Sequence, residues 1–162
     1  MPYITYNEYL ALYDDIPEKD FNRLSYDAQK TVDYQTTGVD GVQKLKYFFP
    51  TDPDDIEAVK RCCCALVNAL YNVEQIANSA GVVQREDGTY TGRGISSINS
   101  GSESISFLSG GSSQSVYTKA AASEAEKQAM IDSTVRNYLV NAKDKNGVRL
   151  LYMGVYPCIQ GQ

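Results

Sequence analysis

The chain is 162 residues long, with 43% apolar residues and 15 basic against 20 acidic side chains, a net charge of −5. That size suits one soluble domain, and the acidic balance argues against a general nucleic-acid binder, which needs excess cations to release counterions from phosphates. The chain has no histidine, which removes the commonest proton shuttle at neutral pH, the histidine-based nucleophilic triads and most zinc and iron sites.

The first segment, Met1-Pro2-Tyr3-Ile4, reads as extended. Thr5 followed by Glu8 has the spacing of a capping box, so a helix is expected to start there, with Tyr6, Tyr9, Leu10 and Tyr13 along it. Pro17 is placed to open a second helix, with Glu18 and Asp20 in a first turn that favours negative charge. Phe21, Leu24, Ala28 and Val32 supply its apolar stripe, and Gly38 and Gly41 close the segment.

A third helix is expected over about residues 53 to 79, opened by Asp52-Pro53 with Asp54, Asp55 and Glu57 at its positive end. Ile56, Val59, Cys63, Leu66 or Val67, Leu70 and Val73 mark its core face, and it should be the centre of the domain. Its carboxylates could hold a cation, but a favourable helix N-terminus with solvated charges explains them better. Cys62, Cys63 and Cys64 are consecutive, about 100° apart around a helix, so they do not converge on one metal; Cys158 stands apart. They read as small apolar residues of a reducing compartment.

Residues 92 to 115 then hold five glycines and ten serines, the composition of a flexible linker. Upstream, Val82-Val83, Asp87-Gly88 and Tyr90 read as a short hairpin, and Ser104-Ile105-Ser106-Phe107 alternates as a half-buried strand does. Helix is expected again from about Ala120, with Ser123 and Glu126 at capping-box spacing and Met130 or Ile131, Val135, Tyr138 and Leu139 as its stripe. Asn146-Gly147 ends it. The run Leu150-Leu151-Tyr152-Met153-Gly154-Val155-Tyr156-Pro157 is expected to be an extended tail or strand, one whose removal from Val148 onwards leaves helical content mostly intact.

The expected architecture is therefore mainly α: a small helical bundle in one domain, residues 1 to 162. Its core lies at about 5–80 and 120–145, with an inserted loop at about 82–118 and a tail at about 148–162. No stretch has the pattern of a signal peptide, and none approaches the ~20 apolar residues of a membrane span. Gly92-Arg93-Gly94 lacks the third glycine of a dinucleotide loop, no phosphate-binding loop occurs, and no serine sits in a nucleophile elbow. No catalytic residue, cofactor or metal ligand is expected. Thirteen tyrosines beside four phenylalanines and no tryptophan lean towards wet protein–protein contacts. The charge is also uneven. Residues 1–60 hold twelve acidic and six basic side chains, and residues 121–162 hold four acidic and five basic.

Five pieces, in order, resemble the head–tail connector (adaptor, or head-completion) proteins of tailed bacteriophages. They are Tyr3-Ile4-Thr5-Tyr6-Asn7-Glu8-Tyr9; Phe21-Asn22-Arg23-Leu24 through Ala28 to Val32-Asp33; residues 56–77; Ile98 to Phe107, with Ser102-Glu103-Ser104-Ile105-Ser106-Phe107 at its heart; and Gly147-Val148-Arg149-Leu150-Leu151-Tyr152-Met153-Gly154-Val155. The resemblance implies a non-enzymatic virion protein of the neck, assembled in the host cytoplasm as a ring of about twelve copies below the portal. Its partners would be the portal protein, a stopper or tail-completion protein and copies of itself. DNA would pass through the channel without specific binding, and no membrane would be involved. By the same resemblance Leu151, Tyr152, Val155 and Tyr156 would contact the portal or a neighbour, and Ser104, Ile105, Ser106 and Phe107 would form a strand between subunits. The alternatives are a tail-completion or stopper protein of the same particle, or a non-viral helical interaction or regulatory domain.

Overall fold

A computed structural model of the chain describes residues 2–79, 83–84, 90–91, 98–100, 103–105 and 115–157, with side chains described over 2–78 and 115–157. The described residues are mostly helical, so the fold is mainly α. The helices are α1 (Tyr6–Leu10), α2 (Glu18–Gln35), α3 (Lys44–Tyr47), α4 (Pro53–Ser79), α5 (Val116–Ala122) and α6 (Glu124–Leu139). No helix among the described residues is long and apolar enough to cross a membrane. The backbone divides into two compact units, Met1–Asn68 with Ile131–Gln162, and Ala69–Met130.

In the first unit, α1 begins as its spacing predicts. The Thr5 hydroxyl accepts the Glu8 N–H, and the Glu8 carboxylate accepts the Thr5 N–H at 2.7 Å, so two otherwise orphaned donors are satisfied reciprocally. One turn is all that follows. Its aromatic side chains meet α2 rather than extending the helix: Tyr6 and Tyr9 lie 5.1 and 5.6 Å from the Phe21 ring, and Tyr9 is fully buried. Pro17 is the residue before α2 rather than its first, and Phe21, Leu24, Ala28 and Val32 are all buried as the stripe requires.

Helix α4 is buried more completely than a single stripe would be. Cys62 through Val67 are all buried, and six consecutive residues cover more than one full turn. Both Leu66 and Val67 are therefore core, and the three cysteines pack as small apolar side chains. Burial pushes the Cys62 thiol up to about 12, that of Cys64 up to about 11, and that of Cys63 up as well, so none is a ready nucleophile.

In the second unit, Leu70, Val73 and Ile76 continue the buried face of α4, and Ala120 and Met130 are buried on α5 and α6. The expected helix from Ala120 is two helices. Ser123 has extended backbone (φ −151°, ψ 132°), which breaks the α5 hydrogen-bond ladder, while its carbonyl accepts the Lys127 N–H at 3.0 Å as α6 begins. The start of α5 is fixed by Ser115, whose hydroxyl accepts the Thr118 N–H. Between α4 and α5 the described backbone consists of β1 (Val83–Gln84) antiparallel to β2 (Tyr90–Thr91), and β3 (Ile98–Ser100) antiparallel to β4 (Glu103–Ile105).

The Glu8 carboxyl is held below its ordinary 4.5 by the Lys60 ammonium at 2.6 Å and by the Thr5 N–H. A depressed carboxyl contributes stability that is present above its unfolded value and lost as pH falls through the folded one. Acidifying from pH 5 through this range should lower the melting temperature, and Glu8→Gln should flatten that dependence. Because the pair is partly exposed, Glu8→Gln should cost no more than about 1 kcal/mol at neutral pH, measured by thermal denaturation.

Candidate functional site

The C-terminal tail is anchored in the first unit by a buried cation. Lys44, in the first turn of α3, is fully buried, and its Nζ donates to the carbonyls of Thr36 (2.7 Å), Leu150 (3.2 Å) and Tyr152 (2.6 Å). An ammonium has three donors, so this cage satisfies it completely only when protonated. Burial pulls the Lys44 pKa below its ordinary value, while the Asp144 and Asp40 carboxylates pull it back up. The first of the three carbonyls closes α2, so Lys44 also places positive charge at that helix's negative end.

The loop between α2 and α3 is folded to bring this lysine inward. Thr37 bridges to Gln43, and the Gly41 N–H donates to the Gly38 carbonyl across a turn completed by Gly41 at φ +76°. Gly38 is required by proximity: a Cβ there would lie 2.8 Å from Asp40 Oδ1 and 3.0 Å from the Gly154 carbonyl. The tail enters beside this loop, with the Val39 N–H donating to the Met153 carbonyl at 3.1 Å.

Asp144 organises the other side. It is buried, and its Oδ1 accepts the Asn146 and Val148 N–H groups, tightening a turn that Gly147 completes at φ +80°. Its Oδ2 accepts the Tyr156 hydroxyl at 2.5 Å, and that hydroxyl in turn accepts from Asn146 Nδ2. Burial, and after it the Asp144 bond, push the Tyr156 phenol up to about 12. The Tyr156 ring stacks on Phe48 at 4.6 Å, Lys145 Nζ lies 5.4 Å over the Phe48 ring, and the Tyr156 N–H donates to Asp40 Oδ2.

The four tail residues expected to make outside contacts are thus placed differently. Val155 and Tyr152 are exposed, Leu151 is half-buried, and Tyr156 is engaged by its ring, hydroxyl and backbone. Met153, which was not among them, is also exposed. Leu150 is fully buried and its N–H donates to the Ala142 carbonyl. Removing the tail from Val148 onwards, expected to leave helical content mostly intact, therefore costs the domain part of its core. Removal would strip a core leucine and two acceptors from a buried cation. Of the expected inter-subunit strand, Ser104 and Ile105 belong to β4, while Ser106 and Phe107 lie outside the described residues.

A groove of about 380 Å³ lies between the N-terminal segment at Tyr3 and Ile4 and the outer face of α2 at Asn22, Tyr26 and Gln29. Its lining is uncharged; Tyr3, at its edge, donates to Asp33 Oδ1 at 2.6 Å and pins the N-terminal segment to α2. Among the described residues no three histidine, cysteine, aspartate or glutamate side chains come together as a metal site requires. No family model matches the chain, and no curated protein or solved structure matches it either.

Lys44→Met should destabilise the protein by roughly 2–5 kcal/mol, because it leaves buried carbonyls without a donor. Tyr156→Phe keeps the Phe48 stack and removes one charge-assisted hydrogen bond, so it should cost about 1–2 kcal/mol. Urea denaturation of the two variants beside the parent chain measures both.

Proposed function

We propose that this protein is a head–tail connector of a tailed bacteriophage or prophage. In this reading it forms a ring below the portal that extends the DNA channel and docks the next neck component. The observation that carries the reading is the order of five sequence pieces over nearly the whole chain, from Tyr3 through Val155. The role is mechanical and needs no catalytic group, cofactor or metal. The protein would act in the neck of the virion and be assembled in the host cytoplasm.

Two physical features support the reading. An acidic, arginine-poor chain with net charge −5 suits a channel wall past which DNA must slide without being gripped. The anchored tail presents Tyr152, Met153 and Val155 to solvent, as a protein made to be covered by portal or neighbouring copy does. In this reading the Gly/Ser-rich loop carries a short β-hairpin or strand, and Ser104 to Phe107 pair between subunits, an edge-strand addition that recovers the loop's ordering entropy on assembly.

Affinity capture of the tagged protein from cells making its particle should retain a portal-sized protein, identified by mass spectrometry. Retention of tail proteins alone would move it to a stopper or tail-completion role, and retention of no particle protein would refute the reading. Ile105→Ser with Phe107→Ser should weaken assembly in the same experiment while leaving the melting temperature of the isolated chain unchanged.

A further inference from the structure

The first unit carries two exposed patches of opposite sign, each with its own apolar centre. One surrounds the anchored tail. Val39 is 73% exposed, Met153 51% and Val155 67%, and Val39 and Met153 are joined by the backbone hydrogen bond between them. Lys46, Lys143, Lys145 and Arg149 are exposed on the α3 and tail-turn segments that build this anchorage, where Asp40 is the exposed carboxylate; at the same end of α2 lie Asp33, half-buried and attracting Lys46, and the exposed Asp132, which accepts from Gln35. Beneath them the buried Lys44 and Asp144 cancel. Packed groups link part of the patch: Asp40 holds the Tyr156 N–H, Tyr156 stacks on Phe48, Phe48 meets Lys145 and Tyr47, and Lys46 Nζ lies over the Tyr47 ring.

The other patch lies at the corner between α1 and α2. Leu10 and Leu12 are 39% and 42% exposed, and Asp14, Asp15 and Glu18 follow them, all exposed, with Lys19 as the exposed cation. The acidic corner stands at the N-terminal end of α2 and the basic patch beyond its C-terminal end. An 18-residue helix separates them by about 27 Å.

We infer that the basic, apolar patch around Met153 and Val155 docks on the acidic, apolar corner of a second copy of this chain. Each patch supplies what the other lacks: carboxylates for cations, and exposed leucines for exposed valine and methionine. The two patches are different surfaces at opposite ends of one helix, so the contact is heterologous, and each copy keeps one unused patch for the next. An excess of one sign at each end also disfavours tail-to-tail and corner-to-corner pairing, which fixes the direction of the chain of copies. A nucleic-acid ligand fits the basic patch less well. Its centre is aliphatic, and the first 60 residues of the chain add twelve acidic side chains against six basic.

The inference deepens the self-assembly part of the connector reading by naming the two faces, and its test uses no portal. In sedimentation velocity the purified full chain should form larger species as concentration rises. Raising salt from about 0.1 M to about 1 M, which shortens the screening length from about 10 Å to about 3 Å, should weaken this at least tenfold. Lys46→Glu with Lys143→Glu should abolish self-association with an unchanged melting temperature, and so should Asp14→Lys with Glu18→Lys, whose melting temperature should fall slightly because Glu18 lies in the first turn of α2. Neither double variant should associate alone, and mixing the two should restore association, both between the unaltered corner of the first and the unaltered patch of the second and through the reversed pair of faces. Val155→Ser with Met153→Ser should weaken the parent contact at any salt concentration.

A parent chain that stays monomeric at every concentration would overturn the inference, as would a mixture of the charge variants that stays apart. So would binding of a duplex oligonucleotide to the basic patch with no self-association. Self-association by these faces without portal capture would instead overturn the connector reading and leave this interface standing.

Discussion

The first unit depends on one buried ammonium. Lys44 reaches three carbonyls from two parts of the chain that lie more than a hundred residues apart, at the end of α2 and in the tail. No apolar side chain could replace it, because burying those carbonyls without a donor would cost more than the packing gained. The hydrogen bonds also bring direction. Each carbonyl must point at the same nitrogen, so the closing loop of α2 and the tail are set against each other in a fixed register.

That register decides what the tail can be. With the Leu150 and Tyr152 carbonyls held by Lys44, Leu150 is driven into the core. Further along, Tyr156 is caught by Asp40, Asp144 and Phe48. The stretch between these anchorages has little freedom to turn its side chains inward, so Met153 and Val155 remain outside. Apolar side chains held exposed on an anchored backbone lose little conformational entropy when a partner covers them. The tail is better described as a presented surface than as a tether.

Much of the helical frame was legible in the sequence, because its signals are local. The Thr5–Glu8 box, the stripe from Phe21 to Val32 and the Asp52-Pro53 start of α4 each lie within a few turns of the structure they specify. The anchorage was not legible. Lys44 sits in a short glycine-flanked stretch, where a lysine ordinarily reads as solvated, and nothing near it announces acceptors 106 and 108 residues away. The break at Ser123 escaped for a related reason: a serine three residues before a glutamate marks a helix start, but the alanines before it favour continuing one. Val155 and Tyr156 read alike as tail residues. Only the fold separates them, because an aspartate turn twelve residues upstream takes up the tyrosine hydroxyl.

The position of α2 ties this anchorage to the uneven charge. Its first turn carries Glu18 and Asp20, which its own dipole favours, and its last carbonyl region is closed by Lys44. Negative charge therefore collects at one end of the helix for reasons of helix stability alone. At the other end, the buried Asp144 attracts the Lys44 charge, and the turn that Asp144 organises carries Lys143, Lys145 and Arg149 out to the surface. The same physics that ends the helix properly thus leaves an excess of acid beside its start and of base beyond its end. A small acidic chain becomes directional in this way without a dedicated interface element. The leucines at one end and the valine and methionine at the other then decide whether that direction is only a field or a contact.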